Sequence, residues 1–354
     1  MDTGLIEESK ELKRTLLHHA AANGYIDIVV KLLELDKDTI CYDNLLEPGP
    51  DAEPLDIEVR DTKKYTPLIC ASLNGHTDIV EKLLERKADI EAVDEDGDTA
   101  LLGATINKRD KIMKILLEHK ANIEAKNNKR ETSLHYAAAN GQMNIMIELL
   151  NHGANIEARD VAVESALSNA AFFGHKEIVT ELLDRKADIN AQNSLMETAL
   201  FFATDTQIII ELLSRGANCN AKNIYGDTIL ICATDNDNNK PAINMIIELV
   251  KYKADLRAKN AFKKTAYDIA VSKKLNQEII DLLAPKIVIV DTIIRHDLEY
   301  KNSLSKRFTC PICIDGEKKV AFTCGHLTCY DCSESITECP ECKAKIIKKI
   351  VLKI

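Results

Sequence analysis

A serine or threonine returns along this chain at a nearly fixed interval. The anchors are Thr15, Thr66, Thr99, Thr132, Ser165, Thr198, Thr228 and Thr265, spaced by 51, 33, 33, 33, 33, 30 and 37 residues. Each opens a run of small and apolar residues, and a second run with helical apolar periodicity follows. A period near 33 residues is the mark of stacked supersecondary units. One such unit cannot bury its apolar stripe alone, so neighbours must stack into a solenoid. Eight units account for about 80% of the 354 residues.

Local chemistry fits a mainly α solenoid of helix-turn-helix units joined by hairpin loops. Each anchor hydroxyl can cap a first helix by accepting a backbone N–H. Pro67 directly follows its anchor, at a position where its missing N–H is harmless. Asn-Gly at 23–24, 74–75 and 140–141 suits a left-handed helix end. In the second helices, Ile79/Val80 with Leu83/Leu84 and Ile178/Val179 with Leu182/Leu183 make one buried stripe.

The stretches TPLICASLNGHTDIVEKLLERKADIEAVDEDGD and TSLHYAAANGQMNIMIELLNHGANIEARD resemble the ankyrin repeat. That resemblance makes His18, His76, His135 and His175 structural hydrogen-bonding groups rather than ligands. Lys87, Lys120, Lys186 and Lys253 stand where a turn glycine is usual. If they keep its left-handed conformation, each costs roughly 1 kcal/mol. Ankyrin solenoids bind proteins with first helices and hairpin tips, which implies a protein substrate on this surface. The fifth residues of the units should face it: His19, Cys70, Gly103, Tyr136, Asn169, Phe202, Cys232 and Ile269. Tyr136, Phe202 and nearby Phe173 are candidate anchors, since rigid aromatics dominate interfaces. Early tips are charged (Asp94–Asp96, Asn127–Arg130) and later ones apolar. Val161–Val163, Leu195, Met196, Ile224, Tyr225 and Phe262 either form a partner site or fold back on the neighbouring repeat.

Three irregularities interrupt the period. An insertion near 36–55 contains EPGPDAEP and reads as a loop. The sixth unit is three residues short and the seventh is lengthened at DNDNNKP; both changes are expected between helices. After Ala284-Pro285 the pattern stops. Ile287, Val290, Ile294 and Leu298 fit a capping helix or, by their β-branched density, a strand. Lys301–Lys306 reads as a hinge. The expected organisation is a repeat domain over 1–284, a capping helix or linker over 285–307, and a small zinc-bound domain over 308–354.

Seven of the chain's 11 cysteines lie between Cys310 and Cys342. With His326 they form four pairs: Cys310/Cys313, Cys324/His326, Cys329/Cys332 and Cys339/Cys342. Two cysteines separated by two residues can meet one metal from a single turn. Eight N/S ligands make two tetrahedral Zn2+ sites with no position left for water, which is the structural rather than the hydrolytic kind. A disulfide cluster would need an oxidising compartment. A single site with spare cysteines is not supported, because a full set of eight leaves none spare.

The ligand order, three Cys, one His, four Cys, resembles the RING finger. The resemblance implies interleaving: Cys310, Cys313, Cys329 and Cys332 on the first zinc, and Cys324, His326, Cys339 and Cys342 on the second. Spacing alone leaves sequential pairing open. The run VAFTCGHLTCYDC is similar to the C-terminal RINGs of the inhibitor-of-apoptosis and Mind bomb ubiquitin ligases. Such domains hold a ubiquitin-conjugating enzyme charged with ubiquitin and position its thioester for a substrate lysine, forming no covalent intermediate. No catalytic nucleophile is therefore expected here. By the same resemblance Ile312, Ile336 and Pro340 meet the conjugating enzyme, although Ile336 also suits the small core. Lys343 sits where many active RINGs carry an arginine that bridges conjugating enzyme and ubiquitin. Lysine keeps the charge and loses the planar fork. Thr323 stands where these relatives usually have proline. The tail KAKIIKKIVLKI needs a strand partner, and the resemblance implies a homodimer through it.

The formal charge is −10. Residues 301–354 carry 10 basic and 6 acidic side chains, which leaves the remainder near −14. An acidic solenoid without a base-reading motif argues against a nucleic-acid partner. The start MDTGLIEESKELKR has no signal-peptide pattern, and no apolar run is long enough to span a membrane. Cys41, Cys70, Cys219 and Cys232 show no pairing pattern, so a reducing cytoplasmic or nuclear compartment is expected. The resemblance implies, and we expect, a RING-type ubiquitin ligase with a substrate-binding solenoid. The alternative is a non-enzymatic scaffold in which the RING only folds and dimerises.

Overall fold

The structure is a computed structural model describing residues 16–34, 56–235 and 241–284, together with the strands 319–322, 327–329 and 349–351. The chain divides into two compact units, Met1–Ala284 and Pro285–Ile354.

The first unit is a row of eight antiparallel helix pairs. In chain order they are α1 (16–23) and α2 (Ile26–Glu34), α3 (Pro67–Asn74) and α4 (Thr77–Glu85), and α5 (Ala100–Ile106) and α6 (Asp110–Glu118). Next come α7 (Ser133–Ala139) and α8 (Met143–Asn151), α9 (Ala166–Phe172) and α10 (Lys176–Asp184), and α11 (Ala199–Phe202) and α12 (Thr206–Ser214). The last are α13 (Ile229–Asp235) and α14 (Pro241–Lys251), then α15 (Ala266–Ser272) and α16 (Gln277–Leu283). First helices stack on first helices and second on second, so the core is one continuous ribbon. Ile79, Val80, Leu83 and Leu84 are all buried, as are Ile178, Val179, Leu182 and Leu183.

The anchors do what their chemistry suggests. Thr66, Thr99 and Ser165 each accept from the backbone N–H three residues on. Thr265 forms a capping box with Asp268. Thr132 forms one with His135, whose Nδ1 accepts from the Thr132 amide at 3.2 Å. That tautomer leaves Nε2–H to donate to the Glu164 carbonyl at 3.2 Å, across to the next repeat. His18, His76 and His175 likewise donate to carbonyls 2.8, 3.0 and 2.9 Å away, those of Tyr65, Ala22 and Ala139. Arg109 takes the same role through Leu73. These histidines are stitches between repeats.

The lysines at glycine positions keep the left-handed backbone: Lys87, Lys120, Lys186 and Lys253 have φ of 64°, 64°, 70° and 62°. Gly153 and Gly216 hold the equivalent turns at 89° and 92°.

One irregularity falls elsewhere than expected. The three missing residues of the sixth repeat are taken from its first helix. α11 has only 4 residues, and Ala203 leaves it extended at φ −62°, ψ 114°. Among the described parts of the seventh repeat, α14 runs to 11 residues against 9 in α12. Residues 36–55 and 285–307 lie outside the described residues, and with them the expected loop, capping helix and hinge.

In the second unit, β1 (Lys319–Phe322) lies between β2 (Leu327–Cys329) and β3 (Lys349–Val351). Both pairings are antiparallel, with Lys319 opposite Cys329 and Val320 opposite Val351. The apolar tail strand therefore finds a partner within its own chain, at the edge of the sheet.

Candidate functional sites

Two places carry function-bearing residues. The first is the cysteine-rich C-terminal unit. Cys329 ends β2, and the four residues joining β1 to β2 include Cys324 and His326. Cys310, Cys313, Cys324, His326, Cys332, Cys339 and Cys342 lie outside the described residues, as do Ile312, Ile336, Pro340 and Lys343. Seven thiols and one imidazole are a donor set suited to tetrahedral zinc. Among the described residues no three His, Cys, Asp or Glu side chains come together as a metal site. Cys70, Cys219 and Cys232 are free thiols, and burial pushes Cys70 and Cys232 up to about 12.

The second place is the solenoid face formed by first helices and hairpin tips. The tips are laced together by one backbone bond per repeat. Val161 donates to Lys129, Ser194 to Ala162, Ile224 to Leu195 and Ala261 to Tyr225, at 2.9 to 3.1 Å. Their backbones lean on the neighbour, yet the side chains stay open: Val161, Leu195, Met196, Ile224, Tyr225 and Phe262 are all exposed, Phe262 by 78%.

The first-helix positions are less uniform than the period implies. His19 is exposed and Tyr136, Asn169, Phe202 and Cys232 are half-buried, whereas Cys70 and Ile269 are buried. Gly103 is covered by Leu73, whose side chain would sit 3.0 Å from any Cβ there. Tyr136 is committed inside the protein. Its hydroxyl donates to Glu131 at 2.7 Å and meets the Asn127 amide at 3.0 Å. Burial, then the Glu131 bond, raise its pKa above the ordinary phenol value.

Further along, Phe172 and Phe173 are more than half exposed. Phe172 meets Phe173 edge-on at 5.0 Å between centroids and Phe202 at 6.5 Å. Sequence reasoning named Phe173 and Phe202 but missed Phe172. The available signal was the adjacent pair Phe172-Phe173 itself.

Sequence comparison places these features among known proteins. Residues 41–127 and 122–193 match the family model for ankyrin repeats, and 13–44 match the single ankyrin repeat. Residues 306–349 match the zinc finger of C3HC4 type, the RING finger. The chain carries ankyrin repeats and a C-terminal RING finger. The ankyrin fold is shared with the crystal structure of the Bcl-3 ankyrin repeat domain, at a TM-score of 0.55 and 24% identity. That match covers 62% of this chain and 99% of the other.

The RING region is similar to curated ligases. It is 48% identical over 44 residues to E3 ubiquitin-protein ligase RGLG4 of Arabidopsis thaliana, covering 12% of this chain and 11% of that protein. It is 49% identical over 47 residues to E3 ubiquitin-protein ligase MIB2 of Gallus gallus, covering 13% and 5%. The chain thus spans only a small part of the length of these relatives. No helix among the described residues is long and apolar enough to cross a membrane.

Proposed function

We propose that this chain is a RING-type ubiquitin ligase whose ankyrin solenoid captures a substrate protein. The observation that carries the reading is the similarity of the RING region to curated ubiquitin-protein ligases at nearly half identity. In this reading two zinc ions brace a unit too small to bury a sufficient core. Cys310, Cys313, Cys329 and Cys332 hold one, and Cys324, His326, Cys339 and Cys342 hold the other. This interleaved assignment is what the resemblance to the RING finger implies. Metal binding supplies on the order of 10 kcal/mol of folding free energy to such sites.

Ile312, Ile336 and Pro340 offer an apolar contact to the charged conjugating enzyme, and Lys343 offers a cation toward ubiquitin. Chemistry is positioning: the thioester is held in a reactive conformation for a lysine of the captured substrate. The edge strand β3 is a route to a homodimer. The exposed tip side chains and the phenylalanine cluster are the substrate surface, and Leu195→Asp with Tyr225→Asp should abolish capture without changing helical circular dichroism. The reading is tested by self-ubiquitination of the full chain beside Ile312→Ala. Robust chain formation by the wild type and roughly tenfold less by the variant supports it. No product from the zinc-loaded wild type across a broad panel of conjugating enzymes favours the scaffold.

A further inference from the structure

The first helices of repeats three to seven share a charge pattern. The residue before each anchor is a carboxylate: Asp98, Glu131, Glu164, Glu197 and Asp227. From each of these through the first helix, no lysine or arginine occurs in any of the five repeats, and Asp205 adds further negative charge, whereas Asp235 is paired with Lys273 at 2.8 Å. Of the second helices in these repeats, α6, α10 and α14 carry both signs, while α8 and α12 carry only Glu148 and Glu211.

All five carboxylates are half-buried. Among the described residues none is in an ion pair. Where they are bridged, the donors are neutral: the next tip's amide reaches three of them, Asn193 to Glu164 at 2.7 Å, Asn223 to Glu197 at 3.4 Å, and Asn260 to Asp227 at 2.9 Å, while Glu131 accepts from Asn127 of its own tip at 3.2 Å and from the Tyr136 hydroxyl. Asp98 Oδ1 and Glu164 Oε2 are buried without a hydrogen-bond partner among the described residues. Burial and then like-charged neighbours raise the pKa of both groups. Glu164 and Glu197 open the two repeats that present Phe172, Phe173 and Phe202, so the uncompensated acids run alongside the open aromatic cluster.

An exposed apolar group beside unpaired carboxylates selects its partner by charge. We infer that this face docks a cationic apolar peptide segment, with an aromatic or aliphatic side chain seated on Phe172, Phe173 and Phe202 and lysine or arginine reaching the carboxylate row. This rests on the reading of the solenoid as the substrate surface and gives the substrate's chemical class: a basic segment rather than an acidic or neutral one. The short α11 is what makes the seat, since a full-length helix there would extend past Phe202 beside Phe172.

The test is fluorescence anisotropy on the full chain with three labelled peptides of equal length, built from repeats of Lys-Phe-Arg-Leu, Glu-Phe-Glu-Leu and Lys-Ser-Arg-Ser. The first should bind at least about tenfold more tightly than either of the others. Its affinity should fall about tenfold in Phe172→Ser/Phe173→Ser, whose side chains are exposed and whose replacement spares the core. It should fall by a similar factor in Glu164→Gln/Glu197→Gln and weaken as salt screens the charges. Equal binding of the acidic peptide, or affinity unchanged by both double variants, overturns the inference. Self-ubiquitination is read on the same samples. If it persists while the peptide result fails, the docking inference falls and the ligase reading stands; specific peptide binding without ubiquitination separates the reverse case.

Discussion

Val163 sits at φ 65° in a hairpin tip, a conformation its branched Cβ disfavours strongly. Gly97 and Gly226 hold the same register at 82° and 74°, and Arg130 and Met196 are forced into it at 60° and 61°. The tip geometry therefore dictates the backbone and the side chain tolerates it. Val163→Gly should raise stability by about 1 kcal/mol, read as a higher urea midpoint. A lower midpoint would show that the exposed valine makes contacts worth more than its strain. The lysines at glycine positions were legible from the turn register. Val163 was not, because the later tips read as an apolar surface feature and conceal a turn requirement that Gly97 and Gly226 spell out. The thiols give a second prediction. With Cys70 and Cys232 held near 12, their thiolates are scarce at neutral pH, so both should resist iodoacetamide in the folded chain. Rapid alkylation would mean that the stacked helices open.

Inter-repeat stitches are the elements' main polar bonds, and one is missing. Gln142 stands where His76, Arg109 and His175 reach back to the preceding first helix. It is buried, and neither amide atom has a partner among the described residues. By the repeat spacing its target is the Ile106 carbonyl. Gln142→His should supply that bond and stabilise by about 1 kcal/mol, whereas His175→Ala should cost about 1–3 kcal/mol through an orphaned carbonyl. Thermal unfolding of the two variants in parallel checks both signs. His135 adds a pH dependence. Burial is the main cause holding its pKa below the ordinary value, opposed by the Glu164 carbonyl bond. As pH falls through about 6.5 the unfolded chain takes up the proton first, so this stabilisation is lost below that pH. The urea midpoint should drop in that window and flatten in His135→Gln. Glu164, raised mainly by burial, works in the opposite direction at lower pH, in the carboxylate range. The helix pairs and caps were readable from the period because each depends on residues close in sequence. The shortening of α11 was not, since a 30-residue spacing says that three residues are gone and not which element gives them up. The open Phe172 follows from that detail, and so does the aromatic seat.

At the scale of the molecule, stability of the solenoid is a sum over repeats and their interfaces, while that of the C-terminal unit depends in this account on metal. Chelation should therefore leave helical circular dichroism and the solenoid's thermal transition nearly unchanged. Elemental analysis should return two zincs per chain before EDTA and none after. The ligand spacing and the alternation of helix pairs were both legible from sequence. The carboxylate row was not seen as a unit because its members lie about 30 residues apart and meet only through stacked tips. The central claim is that the RING finger activates ubiquitin held on a conjugating enzyme. Its most direct test is single-turnover discharge of a purified ubiquitin-charged conjugating enzyme onto free lysine, with the zinc-loaded full chain and with Cys310→Ser. The account predicts thioester loss accelerated by at least about tenfold with the wild type and no acceleration with the variant. Discharge no faster with the wild type than without it, across a panel of conjugating enzymes, would contradict the account and leave the chain a binding scaffold.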